Sequence, residues 1–127
     1  MGKAEYFELP FWTKYVSNNM EETHNFIQEM FGWKVFTKSE NDVYLMINDA
    51  PALNISQRDS AMEKDGIPPH VRNYIQVADY DKSLKLALEK GAKLIHEGEV
   101  PDYCKLGVLK IPGDLFLAIV QYFKGHP

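Results

Sequence analysis

Residues 11–32 read FWTKYVSNNMEETHNFIQEMFG, and residues 71–91 read VRNYIQVADYDKSLKLALEKG. The two stretches follow one plan. Each begins with a short run rich in aromatic and β-branched residues, which predicts a strand. Each run ends at a side chain suited to capping a helix, Asn18-Asn19 in the first and Asp79 in the second. A helical pattern follows in both, over 20–30 and 80–90. Met20, Thr23, Phe26, Ile27 and Met30 supply the apolar side of the first helix, and Leu84, Leu86, Ala87 and Leu88 that of the second. Gly32 and Gly91 then stand where a left-handed residue closes a helix at little steric cost. Asn19 matches Asp79, Phe26 matches Leu86, and Gly32 falls opposite Gly91 with a one-residue slip, a repeat of about 60 residues.

The repeat extends beyond the helices. After Gly32 come three strand candidates, 33–38 (WKVFTK), 42–47 (DVYLMI) and 52–57 (ALNISQ). After Gly91 come three more, 93–96, 104–111 and 115–122, with Pro112-Gly113-Asp114 as the turn before the last. Residues 58–69 (RDSAMEKDGIPP) are polar and hold one Gly and two Pro, so they read as a linker. The expected fold is therefore α+β, with a βαβββ module over about 8–57 and a second over about 70–123 in one domain. Two such modules side by side would make a curved, partly closed mixed sheet around a cavity, with the helices outside. A ferredoxin-like sandwich would also repeat, but its βαβ halves lack the three-strand tail.

Composition narrows the function classes. The chain has 127 residues, 45% hydrophobic and 25% charged, ordinary values for one globular domain. Net charge is −4 and no basic block occurs, which argues against nucleic acid as a partner. The apolar runs are too short to span a membrane, and MGKAEYFELPFW lacks the apolar core of a signal peptide. The single cysteine, Cys104, cannot form an internal disulfide and reads as a small strand residue with no base beside it. A cytoplasmic protein is expected.

Strand alternation picks out candidate binding residues. In the second opening strand Arg72, Tyr74 and Gln76 share one face, and Val71, Asn73, Ile75 and Val77 the other. The more apolar set should face the helix, which leaves Arg72, Tyr74 and Gln76 for a ligand. Of the four histidines, His24 reads as the polar side of the first helix, His96 as a strand end beside Glu97, and His126 as tail. His70 shares a face with Arg72, without a second His or carboxylate at ligand spacing.

Taken together, FWTKYVSNN…HNFIQEMFGWKV, YIQVADYDKSLKLALEKGAKLI and KIPGDLFLAIVQY resemble the vicinal-oxygen-chelate superfamily of glyoxalases, bleomycin-resistance proteins and extradiol dioxygenases. The likeness covers nearly the whole chain and points to the small, bacterial, glyoxalase-like branch. Enzymes of that superfamily hold a divalent metal with one ligand from each opening and each closing strand. The resemblance carries those positions to Trp12, Asn54, Arg72 and Ala118, a set without the usual His and Glu. It also turns Trp12, Lys14 and Val16 toward the cavity. What it implies is a metal-free, cofactor-free homodimer that binds a small organic ligand, anionic or aromatic, through Trp12, Lys14, Asn54, Arg72, Tyr74 and Gln76. Arg72 would hold a carboxylate or phosphate by paired hydrogen bonds, and Trp12 and Tyr74 would cover an apolar body. The alternatives are a metal-dependent isomerase, lyase or dioxygenase with non-standard ligands, and an accessory or regulatory module without a ligand.

Overall fold

The computed structural model describes residues 11–123, so His126 and the whole stretch before the first strand, including residues 8–10 of the expected first module, lie outside the described residues. The described chain is α+β. Strand β1 (Phe11–Ser17) leads into helix α1 (Met20–Phe31), then β2 (Lys34–Lys38), β3 (Asp42–Ile47) and β4 (Ala50–Gln57). A short helix α2 (Ser60–Lys64) intervenes. Then β5 (His70–Gln76), α3 (Tyr80–Glu89), β6 (Lys93–Val100), β7 (Cys104–Ile111) and β8 (Leu115–Tyr122) repeat the order. None of these helices is long and apolar enough to cross a membrane. Among the described residues, contacts divide the chain into two compact units, residues 13–72 and residues 73–123 with Phe11 and Trp12.

In the unit of residues 13–72 the strand order is β2-β3-β4-β1. β4 runs antiparallel to β3 and parallel to β1, pairing Lys14 with Asn54 and Val16 with Ser56. A parallel pair needs a long crossover, and α1 with the β2–β3 hairpin supplies it. β3 and β4 are joined through Asn48 and Asp49, both left-handed (φ 52° and 66°), the backbone that a two-residue hairpin turn with native twist demands. Met20 and Ile27 of α1 pack on Val43, Leu45, Leu53 and Ile55, with Tyr15 and Trp33 at the margin.

The second unit has the order β5-β8-β7-β6, with β5 parallel to β8 and the remaining pairs antiparallel. Its core joins Tyr80 of α3 to Leu109 and Ile119, flanked by Val77, Leu84 and Ala87. The Tyr80 ring is buried, and its hydroxyl donates to Glu97 Oε2 at 2.5 Å. Lys105 lies 5.0 Å from the ring centroid and pairs with Asp81 at 3.3 Å. Gly107 makes room for this ring: a Cβ there would overlap the Tyr80 hydroxyl and come within 3.2 Å of Cζ.

The repeat is sharpest where each helix begins. Asn19 accepts from the Glu22 amide and Asp79 from the Lys82 amide, both at 3.1 Å. The first helical amide also has a side-chain partner in both units. Met20 N donates to Gln57 Oε1 at 2.9 Å, and Tyr80 N donates to Gln121 Oε1 at 2.7 Å. In each unit a glutamine near the end of the last strand thus satisfies an amide that the helix itself leaves without an acceptor.

Three expectations change. Phe26 and Met30 are about 60% exposed, while His24, placed on the water side, is buried with Met20 and Ile27. At roughly 100° per residue Met20, His24 and Ile27 form one line down the helix, and Phe26 lies well off it. Hydrophobicity was the poorer guide here than position. In α3, likewise, Leu86 and Leu88 are exposed while Tyr80 is buried. The stretch 58–69 is folded rather than a plain linker. Asp59 caps α2 by accepting from Met62 N, Arg58 Nε donates to Ile67 O at 2.6 Å, and Ile67 is buried. Finally, β6 continues to Val100, four residues past the expected end.

Two stability predictions follow from the helix starts. Gly107→Ala should lower unfolding stability by about 1–3 kcal/mol in urea titration, because the added methyl displaces the Tyr80 ring. Gln121→Ala should cost about 1 kcal/mol in the same measurement, the usual net value of one such hydrogen bond, and Gln57→Ala more, because its Nε2 also donates to Asn18 O and Arg58 O.

Candidate functional site

Alternation and register together decide which side chains share the face of the first unit away from α1. Leu53, Ile55, Val43 and Leu45 point into the helix-side core. Their neighbours Asn54, Ser56, Asp42 and Tyr44 therefore share the other face with the cross-strand partners Lys14 and Val16. Trp12, half-buried, precedes Lys14 by two residues on the same strand.

Asn54 and Ser56 are buried polar groups, and such groups need partners. Asp42 provides one. Asn54 Nδ2 donates to Asp42 Oδ1 at 3.0 Å and to Ser56 Oγ at 3.1 Å, and the Ser56 hydroxyl donates to the same Asp42 oxygen. A carboxylate only accepts, so the Asn54 amide turns its nitrogen toward Asp42 and its oxygen away.

Arg72 is 5% exposed although the flanking Val71 is 56% exposed, so on β5 the charged side chain is inside and the apolar one outside. Burying a guanidinium is expensive unless hydrogen bonds and charge compensate it. One of its partners is His70. Pro68 O can only accept, so His70 Nδ1 carries the proton and donates to it at 2.8 Å. His70 Nε2 is then a lone pair, and Arg72 Nη1 donates to it at 3.4 Å. Burial lowers the His70 pKa below its ordinary 6.5; the Pro68 hydrogen bond opposes this, and the charges of Arg72 and Lys14 add to the lowering. The ring is therefore neutral at pH 7.

The structure thus brings Lys14 and Asn54 together as register partners and sets Arg72 against His70, with Lys14 within electrostatic reach of the same ring. Tyr74 and Gln76 belong to the second unit, where they pair with Ala118 and Val120 of β8; Tyr74 is half-buried and Gln76 is exposed. Sequence reading missed Asp42 and Ser56. Polar residues two apart within ALNISQ (52–57) hinted at Ser56, whereas Asp42 at a strand start looks like any turn residue.

The four positions that a superfamily metal would use do not fit one. Trp12 and Ala118 offer no donor of that type, Arg72 is cationic, and Asn54, whose nitrogen is held by Asp42 and Ser56, offers at most one neutral amide oxygen. Lys14 and Arg72 would repel a cation here. Among the described residues no group of three His, Cys, Asp or Glu stands together in a way that could hold a metal. Cys104 is buried, and burial pushes its thiol above the ordinary range, partly offset by a backbone hydrogen bond at Val100. A thiol so placed is a poor nucleophile.

No protein-family model and no curated protein matches the sequence. Solved structures do. A glyoxalase/bleomycin resistance protein/dioxygenase superfamily member from Vibrio splendidus 12B01 superposes with a TM-score of 0.64 at 13% identity, over 87% of this chain and 97% of that one. Streptomyces coelicolor methylmalonyl-CoA epimerase gives 0.58 at 17% identity, over 91% and 94%. The NAD-dependent benzaldehyde dehydrogenase structure from Legionella pneumophila gives 0.61 at 13% identity, over 89% and 99%. With its twice-repeated βαβββ order, the chain has the vicinal-oxygen-chelate fold.

Proposed function

We propose that the chain binds a small organic molecule bearing an anionic group, without a metal, on the face that carries Lys14, Asn54 and Arg72. The observation that carries this reading is the buried, oriented guanidinium of Arg72 at a position where superfamily enzymes supply a metal ligand. A buried Arg presents a rigid fork of donors matched to a carboxylate or phosphate, and desolvation strengthens that pairing. Lys14 adds a second positive charge. Asn54 Nδ2 donates to Asp42 and Ser56, so the amide turns its oxygen the other way, an acceptor suited to a hydroxyl of the ligand and not to its anionic group. The Streptomyces coelicolor epimerase, which has the same fold, is seen in complex with 2-nitronate-propionyl-CoA, so acyl-CoA thioesters belong among the ligands to try. The reading includes a cytosolic homodimer, as the resemblance implies.

The test is a thermal-shift screen with aromatic and aliphatic carboxylates and acyl phosphates, followed by calorimetric titration of every hit. Arg72→Ala should weaken binding about tenfold or more, the range for losing hydrogen bonds to a charged group. Unchanged affinity of every hit in Arg72→Ala would refute the assignment.

A further inference from the structure

His70 gives this face a property that a plain cationic patch lacks. Its ring is held by Pro68 through Nδ1, so only Nε2 is left to respond to pH, and Nε2 faces Arg72. With Nε2 unprotonated, the ring accepts from the guanidinium. Once Nε2 gains a proton it can no longer accept, and N–H groups of two cations confront each other with Lys14 near by. An oxyanion between them would resolve that conflict, because one of its oxygens can accept from Arg72 and another from the protonated ring.

Resting on the reading of Arg72 as the ligand's anchor, we propose that oxyanion binding at Arg72 and Lys14 is coupled to uptake of one proton by His70, so that this site holds a carboxylate or sulfate-type group more tightly as pH falls. The charged groups around the ring within its unit set the direction. Arg72 on its own strand and Lys14 on β1 both disfavour the imidazolium. The carboxylate of Asp42 on β3 is occupied by Asn54 and Ser56 of β4. A bound anion offsets the two charge contributions, so that burial, the largest cause, is left to oppose protonation against the attraction of the anion itself. By linkage the effect is reciprocal: whatever raises the His70 midpoint is itself bound more tightly when His70 is protonated.

The sign can be stated. Free His70 titrates below 6.5, and the bound anion moves that midpoint upward. Above the raised midpoint the ring is neutral in both states, and below the lower one it is charged in both. Between them affinity rises with falling pH, about tenfold for each unit of separation.

Benzoate and sulfate are suitable probes because neither changes charge between roughly pH 5.5 and 8. Histidine ring NMR on the full chain should show the His70 midpoint moving upward on saturation with either anion, while exposed His96 serves as a reference that stays in place. Calorimetric affinity should tighten from pH 7.5 to 5.5 in the wild type and stay flat in His70→Gln, whose amide oxygen still accepts from Arg72 but cannot titrate. Bound anion with an unmoved His70 midpoint, or the same tightening in His70→Gln, would overturn the coupling while leaving Arg72 as an anchor. Failure of both anions to bind at any pH would overturn the coupling and the anchor together. The NMR arm uses the unaltered protein and so does not depend on the variant folding.

Discussion

Everything in each half of this protein hangs on a parallel pair of strands, the opening strand and the closing strand of its module. β1 beside β4, and β5 beside β8, can be reached only by a crossover, and the helix is part of that crossover in both cases. The glutamine near the end of the closing strand then accepts from the helix's first amide, Gln57 for Met20 and Gln121 for Tyr80. One hydrogen bond therefore ties the helix to the closing strand, which the ladder in turn ties to the opening strand. The apolar side chains of the strands meet the helix, in the first unit Val43, Leu45, Leu53 and Ile55, and by alternation their neighbours take the other face.

The outward consequence is a polar, partly buried face in the first unit. Arg72, in the same unit, is the costliest of its buried polar groups, because a guanidinium at 5% exposure is tolerable only where hydrogen bonds and charge compensation are arranged. His70 serves as one such partner by staying neutral, and it stays neutral because it is half-buried beside two cations. The Asp42–Asn54–Ser56 network performs the same office for the polar groups of β4. The two networks differ in character: the Arg72–His70 pair carries positive charge, whereas the donors of Asn54 and Ser56 are spent on the Asp42 carboxylate.

The fold was largely legible in the sequence, because its punctuation is local. Asn19 and Asp79 cap helices by short-range hydrogen bonds, and Gly32 takes the left-handed conformation that few other residues accept cheaply. What could not be read was the rotation of the helices. Phe26 and Leu86 are more apolar than His24, yet the line set by Met20 and Tyr80 leaves both outside. The helical character of 60–64 was hidden by polar composition, since a single capped turn needs no apolar stripe. In the site, Arg72 could be placed on a face by alternation, but its burial depends on neighbours far away in sequence. Asp42 reaches Asn54 and Ser56 across a strand pair, a relation that no short-range pattern records.

Elemental analysis tests directly the proposal that this site works without a metal. Protein made without a tag, purified without chelator and equilibrated with zinc, nickel, manganese or iron should retain far less than one metal per chain after gel filtration. One equivalent of metal retained per chain, lost on Arg72→Ala or Asn54→Ala, would contradict it.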